Sequence, residues 1–195
     1  AFHKLGVSRL ETLDELLETA KLFATCPLPD GEGVGLMSLS GGQLGLIADL
    51  AEDLGLEFPA FSDEARTALE QILPPFSPIA NPLDAWGSGD LEATYPACVD
   101  VAVQEDAVDV LAVSRDTPTG VAPREIEQSL AVAQSAVGAA EQTHKPVVLF
   151  SNLCGGFEPA VEEVLEEGGV PYLQGTDETL SAIQAFVGYR AFLKR

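Results

Sequence analysis

The chain has 195 residues, 46% of them hydrophobic, which is enough to bury the core of one domain. Its 31 acidic and 10 basic residues give a net charge of −21, a field that repels nucleic-acid backbones and anionic membranes alike. No run approaches the roughly 18 apolar residues of a membrane helix, and no basic segment leads into an apolar one as in a signal peptide.

The sequence begins at Ala1 rather than Met, the start expected of a piece cut from something longer. Thr12-Leu13-Asp14-Glu15 is a capping-box pattern, in which Glu15 can reach back to the Thr12 amide. Leu13, Leu16, Leu17, Ala20 and Phe23 follow at helical spacing, and Cys26-Pro27-Leu28-Pro29-Asp30-Gly31 ends the helix. Residues 1–30 therefore read as a helical arm or linker, and 31–195 as the main domain.

From Gly33 the pattern changes. Val34–Leu39 reads as a short apolar strand, Ser40-Gly41-Gly42 as a sharp turn, and Gln43–Leu54 as a helix with Leu46, Ile47, Leu50 and Leu54 on one face. Leu56–Phe61 reads as a second strand, weakened by Pro59, and Ser62-Asp63-Glu64 caps a helix ending at Pro74-Pro75. A loop then holds Asn81-Pro82-Leu83-Asp84 and continues to Asp90, with Trp86 placed to pack over strand ends or at a domain interface. Leu91–Gln104 is the next helix, Val108–Ser114 a buried-type strand, and Pro123 opens a long helix to Gln142. Pro146–Ser151 is a strand, Asn152–Gly156 a second glycine turn, and Glu158–Glu167 a helix. Val170-Pro171-Tyr172 reads as the last strand, and Thr176 as the cap of a helix ending near Lys194.

Short apolar strands alternating with helices predict an α/β fold: a flavodoxin-like, doubly wound, parallel five-stranded sheet in the order 2-1-3-4-5, with helices on both faces. Ligands in such folds meet the carboxyl ends of the strands. Those ends are Ser38–Gly42, Ser114–Thr119 and Ser151–Gly156, where polar residues and glycines gather.

Ser40, Gly41, Gly42 and Gln43 form the first candidate site. A helix N-terminus offers free amides and about half a positive charge, and glycine lets an anion approach closely. The same glycines also serve a tight strand-to-helix turn. The spacing is neither the GxGxxG fingerprint nor a Walker loop. Gly155 and Gly156 repeat the device, again open to a purely structural reading. Asn81 and Asp84 mark a candidate substrate or interface loop, or an Asx-type turn.

Other chemistry finds few residues. No GxSxG elbow is present. His3 and His144 read as surface histidines, the latter at the amino end of a strand. Glu162-Glu163 and Glu166-Glu167 read as a solvated helix face. Cys26, Cys98 and Cys154 are odd in number and widely spaced, so neither a disulfide framework nor a zinc site is expected, and a reducing cytoplasm fits best. No ligand set converges on a metal.

Several segments in order resemble one family. Gly6–Leu16 is similar to the entry into the second flavodoxin-like domain of acyl-CoA synthetases that form a nucleoside diphosphate, relatives of succinyl-CoA synthetase and ADP-forming acetyl-CoA synthetase. Ser38-Leu39-Ser40-Gly41-Gly42 resembles that domain's (T/S)xxGG turn, and Asn81-Pro82-Leu83-Asp84 its NP(V/L)D loop. Pro146–Leu149 and Gly155-Gly156 resemble its later strand and glycine turn.

The resemblance implies one domain of a ligase that converts acid, CoA and ATP to acyl-CoA, ADP and phosphate, reversibly. The implied partners are a CoA-binding domain, a first flavodoxin-like domain and ATP-grasp domains, in the same chain or a partner subunit. ATP or ADP, Mg and CoA would belong to those parts, with no cofactor held by this domain itself. In the family a histidine in an SHTG-like segment of the first flavodoxin-like domain carries phosphate. That segment is absent here, and His3 does not match it. The second domain presents a helix N-terminus to the phosphohistidine, which the resemblance carries onto Ser40, Gly41, Gly42 and Gln43. Gln43-Leu44 departs from the small residue or proline often found there. The isolated chain is then expected to be inactive.

Two other readings stand beside this one. Some proteins resembling the family join these domains to an acyltransferase, which leaves a regulatory or scaffolding module. A free-standing flavodoxin-like binder of FMN or a small acid lacks the Ser/Thr-rich phosphate loop that FMN needs.

Overall fold

The computed structural model describes residues 2–86 and 90–194, without the side chains of residues 2 and 3. Five strands form one parallel sheet in the order β2-β1-β3-β4-β5. They are β1 (Val34–Ser38), β2 (Leu83–Asp84), β3 (Val110–Ser114), β4 (Val147–Ser151) and β5 (Tyr172–Gln174). The helices are α1 (Leu13–Thr25), α2 (Gly41–Leu54), α3 (Asp63–Ile72), α4 (Leu91–Gln104), α5 (Pro123–Gln142), α6 (Pro159–Glu167) and α7 (Thr176–Leu193).

Every residue of β1, β3 and β4 is buried, as continuous apolar runs in a sheet covered on both faces should be. Side chains alternate across the sheet. Leu111, Val113 and Leu149 join a core under α3, α4, α5 and α6, while Val110, Ala112, Val148 and Phe150 join one under α1, α2 and α7.

The edge strand beside β1 differs from expectation. Leu56–Phe61 contributes only an isolated bridge from Glu57 to Gly33, and β2 is formed by Leu83–Asp84 against Met37 and Ser38. Pro59 has no amide to donate to a ladder. The Asn81 side chain takes over the next rung instead. Its Oδ1 accepts the Leu36 amide at 3.0 Å, and its Nδ2 donates to Val34 O at 2.8 Å and Pro59 O at 2.9 Å. The Asn81–Pro82 peptide is cis.

Smaller differences have similar causes. Thr12 Oγ1 accepts the Glu15 amide as expected, but the Glu15 carboxylate takes the Glu11 amide rather than that of Thr12. The last strand starts at Tyr172, beyond the donor-less Pro171. Gly175, at φ 78°, holds the cap position of α7, and Thr176 Oγ1 donates instead to Asn152 Oδ1 at 2.7 Å. On α2, Ile47 and Ala51 face the core while Leu46 is 52% exposed.

Candidate functional site

The carboxyl ends of β1, β3 and β4 lie side by side, so the polar residues that follow each strand meet. Ser40 caps α2, its Oγ accepting the Gln43 amide at 3.4 Å. The first amides of a helix have no intrahelical acceptor, so those of Gly41 and Gly42 are left for a partner from outside the helix. An added Cβ at Gly41 would lie 3.1 Å from Asp84 Oδ2, whereas at Gly42 its nearest neighbour would be Ser40 Oγ at 3.9 Å. Asp84 thus flanks one side of this N-terminus, and its Oδ1 accepts the Trp86 amide at 3.1 Å. The Gly42 side is open.

Gln43 turns inward. Its Nε2 donates to Ser114 Oγ at 2.7 Å and to Asn152 Oδ1, and its Oε1 accepts from Ser38 Oγ. One side chain thereby joins the ends of β1, β3 and β4. Asp116 completes this network, and sequence reasoning did not single it out. Its Oδ1 accepts from Ser151 Oγ at 2.8 Å and from the Asn152 amide at 2.7 Å. The only cue was a carboxylate two residues past an apolar strand.

Beneath the network, Tyr95 is fully buried and its hydroxyl lies 3.3 Å from both Met37 O and Ser114 O. Burial pushes this phenol well above its usual range.

Gly155 and Gly156 lie apart from α2, in the wall of a second cleft of about 210 Å³. Thr117, Leu153, Cys154, Phe157 and Tyr172 also line it. Thr117 Oγ1 and Tyr172 Oη are 2.7 Å apart, and the Gly155 amide donates to Gln174 Oε1 at 3.0 Å. Partial burial of the Cys154 sulfur, followed by the carboxylates of Glu178, Asp14 and Glu18, raises this thiol's pKa. It is held as the thiol rather than the nucleophilic thiolate. Asn81 sits in neither cluster, since its side chain is spent on the sheet edge.

Trp86 is 56% exposed. The loop continues through Gly87, Ser88 and Gly89, which lie outside the described residues, as does the side chain of His3. His144 is exposed just before β4, and Glu162, Glu163, Glu166 and Glu167 are exposed on α6. Among the described residues no group of three or more His, Cys, Asp or Glu side chains is arranged to hold a metal ion. No described helix is long and apolar enough to cross a membrane.

Residues 34–191 match the Ligase-CoA domain. The chain belongs to this family.

The Ligase-CoA fold makes up part of several larger relatives. The α subunit of an ADP-forming acetate–CoA ligase II of Pyrococcus furiosus is 30% identical over 189 residues, covering 96% of this chain and 40% of that protein. A structure from Pyrococcus horikoshii superposes with a TM-score of 0.82 at 27% identity, covering 100% of this chain and 43% of that one. The fold also recurs in an acetyl-coenzyme A synthetase of Ca. Korarchaeum cryptofilum, with a TM-score of 0.80 at 20% identity and 99% and 41% coverage. The Ligase-CoA chain thus spans about 40% of the length of the curated relative.

Proposed function

We propose that this chain is the second flavodoxin-like domain of a cytoplasmic, nucleoside-diphosphate-forming acyl-CoA synthetase. The whole enzyme converts acid, CoA and ATP to acyl-CoA, ADP and phosphate, and runs in reverse. CoA-binding, first flavodoxin-like and ATP-grasp parts supply CoA, Mg and nucleotide binding. Residues 1–30 act as the lead-in arm and 31–195 as the ligase-CoA unit.

The contribution of this chain is the N-terminus of α2. A phosphohistidine from the neighbouring domain is a dianion that must wait in a partly buried place. Amides aimed at it lower its energy without a cationic cage, which reconciles phosphoryl chemistry with a domain of net charge −21. The observation that carries this reading is the open Gly42 side of the α2 N-terminus, at the switch point of a parallel sheet. Gln43 serves by fixing that turn to β3 and β4 rather than by touching phosphate. Asp84, Gly155 and Gly156 lie on surfaces that face substrate or a neighbouring domain, and Asn81 positions the Asp84 segment.

The test is reconstitution. The chain combined with its CoA-binding, first flavodoxin-like and ATP-grasp parts is expected to form acyl-CoA from acid, CoA and ATP, and the chain alone to form none. An assembly that makes no thioester, or thioester formation by residues 1–195 alone, overturns the reading.

A further inference from the structure

Helix α1 carries its amphipathic pattern inside out. Glu15, Glu18, Thr19 and Leu22 face the body of the protein, while Leu13, Leu16 and Leu17 are 76%, 50% and 59% exposed. Ala20 is exposed as well, and at spacings of three and four residues these side chains form one stripe. Leu5 and Val7, in the preceding arm, are 71% and 49% exposed.

The cause lies in β5, the last strand of the sheet. A bare edge presents unpaired amides and carbonyls. Glu18 Oε2 accepts the Gln174 amide at 3.2 Å, and Lys21 Nζ donates to Tyr172 O at 3.3 Å. Glu18 and Lys21 pair with each other at 2.7 Å. Turning its polar side chains to the strand edge forces the helix to point its leucines outward. Scattered apolar residues are ordinary on a surface, but three leucines side by side on one helix face, continued by Ala20, form a contiguous patch that marks an interaction face.

We propose that this stripe docks onto another domain of the synthetase assembly, on an apolar surface bordered by lysine and arginine. The inference rests on the reading of the chain as part of such a synthetase. Two observations select the occupant. Each copy carries −21, and Glu11 and Asp14 are exposed beside the stripe, so a second copy brings like charges together while a basic border is attracted. The chain also spans only 40% of the P. furiosus relative and 43% of the P. horikoshii structure, so in such proteins most of the polypeptide lies outside this fold.

The experiment places a reporter thiol on the stripe. Leu17→Cys is introduced with Cys154→Ser, which removes the one exposed native thiol. Maleimide labelling is then timed in the isolated chain and in the complete assembly. Docking slows labelling in the assembly by about tenfold or more, because the centre of an interface excludes water. Adding Leu16→Glu restores the isolated-chain rate in the assembly and leaves the isolated chain's unfolding midpoint unchanged. Equal rates in the two preparations overturn the proposal. So does labelling of the isolated chain that slows with its own concentration as light scattering shows a dimer, which assigns the stripe to a second copy. Acyl-CoA formation by the same assembly is scored separately, so loss of the synthetase reading and loss of the docking surface are distinct results.

Discussion

Gln43 Nε2 on α2 donates to the Ser114 hydroxyl at the end of β3 over 2.7 Å, across the switch point of the sheet. The same nitrogen reaches Asn152 Oδ1 after β4, and Gln43 Oε1 accepts from Ser38 at the end of β1. Ser38 and Ser114 are buried, so truncating Gln43 leaves their hydroxyls without this partner. Gln43→Ala is expected to lower unfolding free energy by about 1–3 kcal/mol. Urea titration should show a lower midpoint with an unchanged slope, because the surface exposed on unfolding is the same.

Asn81 is the second such position. It serves one donor and two acceptors on β1 and the Pro59 segment. Asn81→Ala removes all three bonds and is expected to cost about 2–4 kcal/mol, more than Gln43→Ala. Asn81→Asp keeps an acceptor for the Leu36 amide but sets a carboxylate against Val34 O and Pro59 O. It should be at least as destabilising as Ala, and thermal unfolding of the three proteins ranks them.

These two side chains show where sequence reading reaches its limit. The strands VLAVS and VVLFS were legible because an apolar run bounded by polar residues has few alternatives in a chain of alternating elements. The caps at Thr12 and Ser62 were legible because they act within three residues. The edge strand was not, because β2 is two residues long and carries no periodicity, while Asn81 acts on a strand 45 residues earlier. Gln43 looked like a ligand contact from its place in a glycine turn. Only the juxtaposition of three strand ends turns it inward. The leucine spacing on α1 identified an apolar face but not which way it points, since that depends on the distant edge of β5.

Glu105 gives a pH-dependent prediction. Burial of this side chain disfavours its charge, but the Ser62 and Ala107 amides and the Lys145 ammonium outweigh that and hold its pKa below the ordinary 4.5. Ser62 N donates to Glu105 Oε2 at 2.8 Å, fixing the start of α3 to the end of α4. A carboxyl with a depressed folded-state pKa stabilises fully above its unfolded value and loses that contribution as pH falls through the folded value. Glu105→Gln is therefore expected to be less stable than the parent protein at pH 7, by about 1 kcal/mol. The gap should close as pH falls below 4.5. Unfolding curves at pH 7, 5, 4 and 3 check the sign, and a gap that widens in acid refutes the assignment.

The role proposed for the α2 N-terminus separates cleanly from stability at Gly42. A Cβ there meets nothing closer than Ser40 Oγ at 3.9 Å, so both Gly42→Ala and Gly42→Asp are expected to fold. Aspartate is also well suited to the first turn of a helix, where its charge is stabilised by about 0.3–1 kcal/mol. The two variants should therefore have similar unfolding midpoints, with Asp no worse than Ala. In the complete assembly their effects should diverge. Alanine leaves the amides reachable and is expected to retain most phosphoenzyme, whereas the aspartate carboxylate occupies the amides and repels the incoming dianion. A decrease of about tenfold or more in phosphohistidine formed from radiolabelled ATP is expected for Gly42→Asp, the scale on which one lost stabilising contact to developing charge acts. Equal phosphoenzyme in both variants would remove phosphate stabilisation from this turn and leave its glycines with the geometry of the strand-to-helix bend alone.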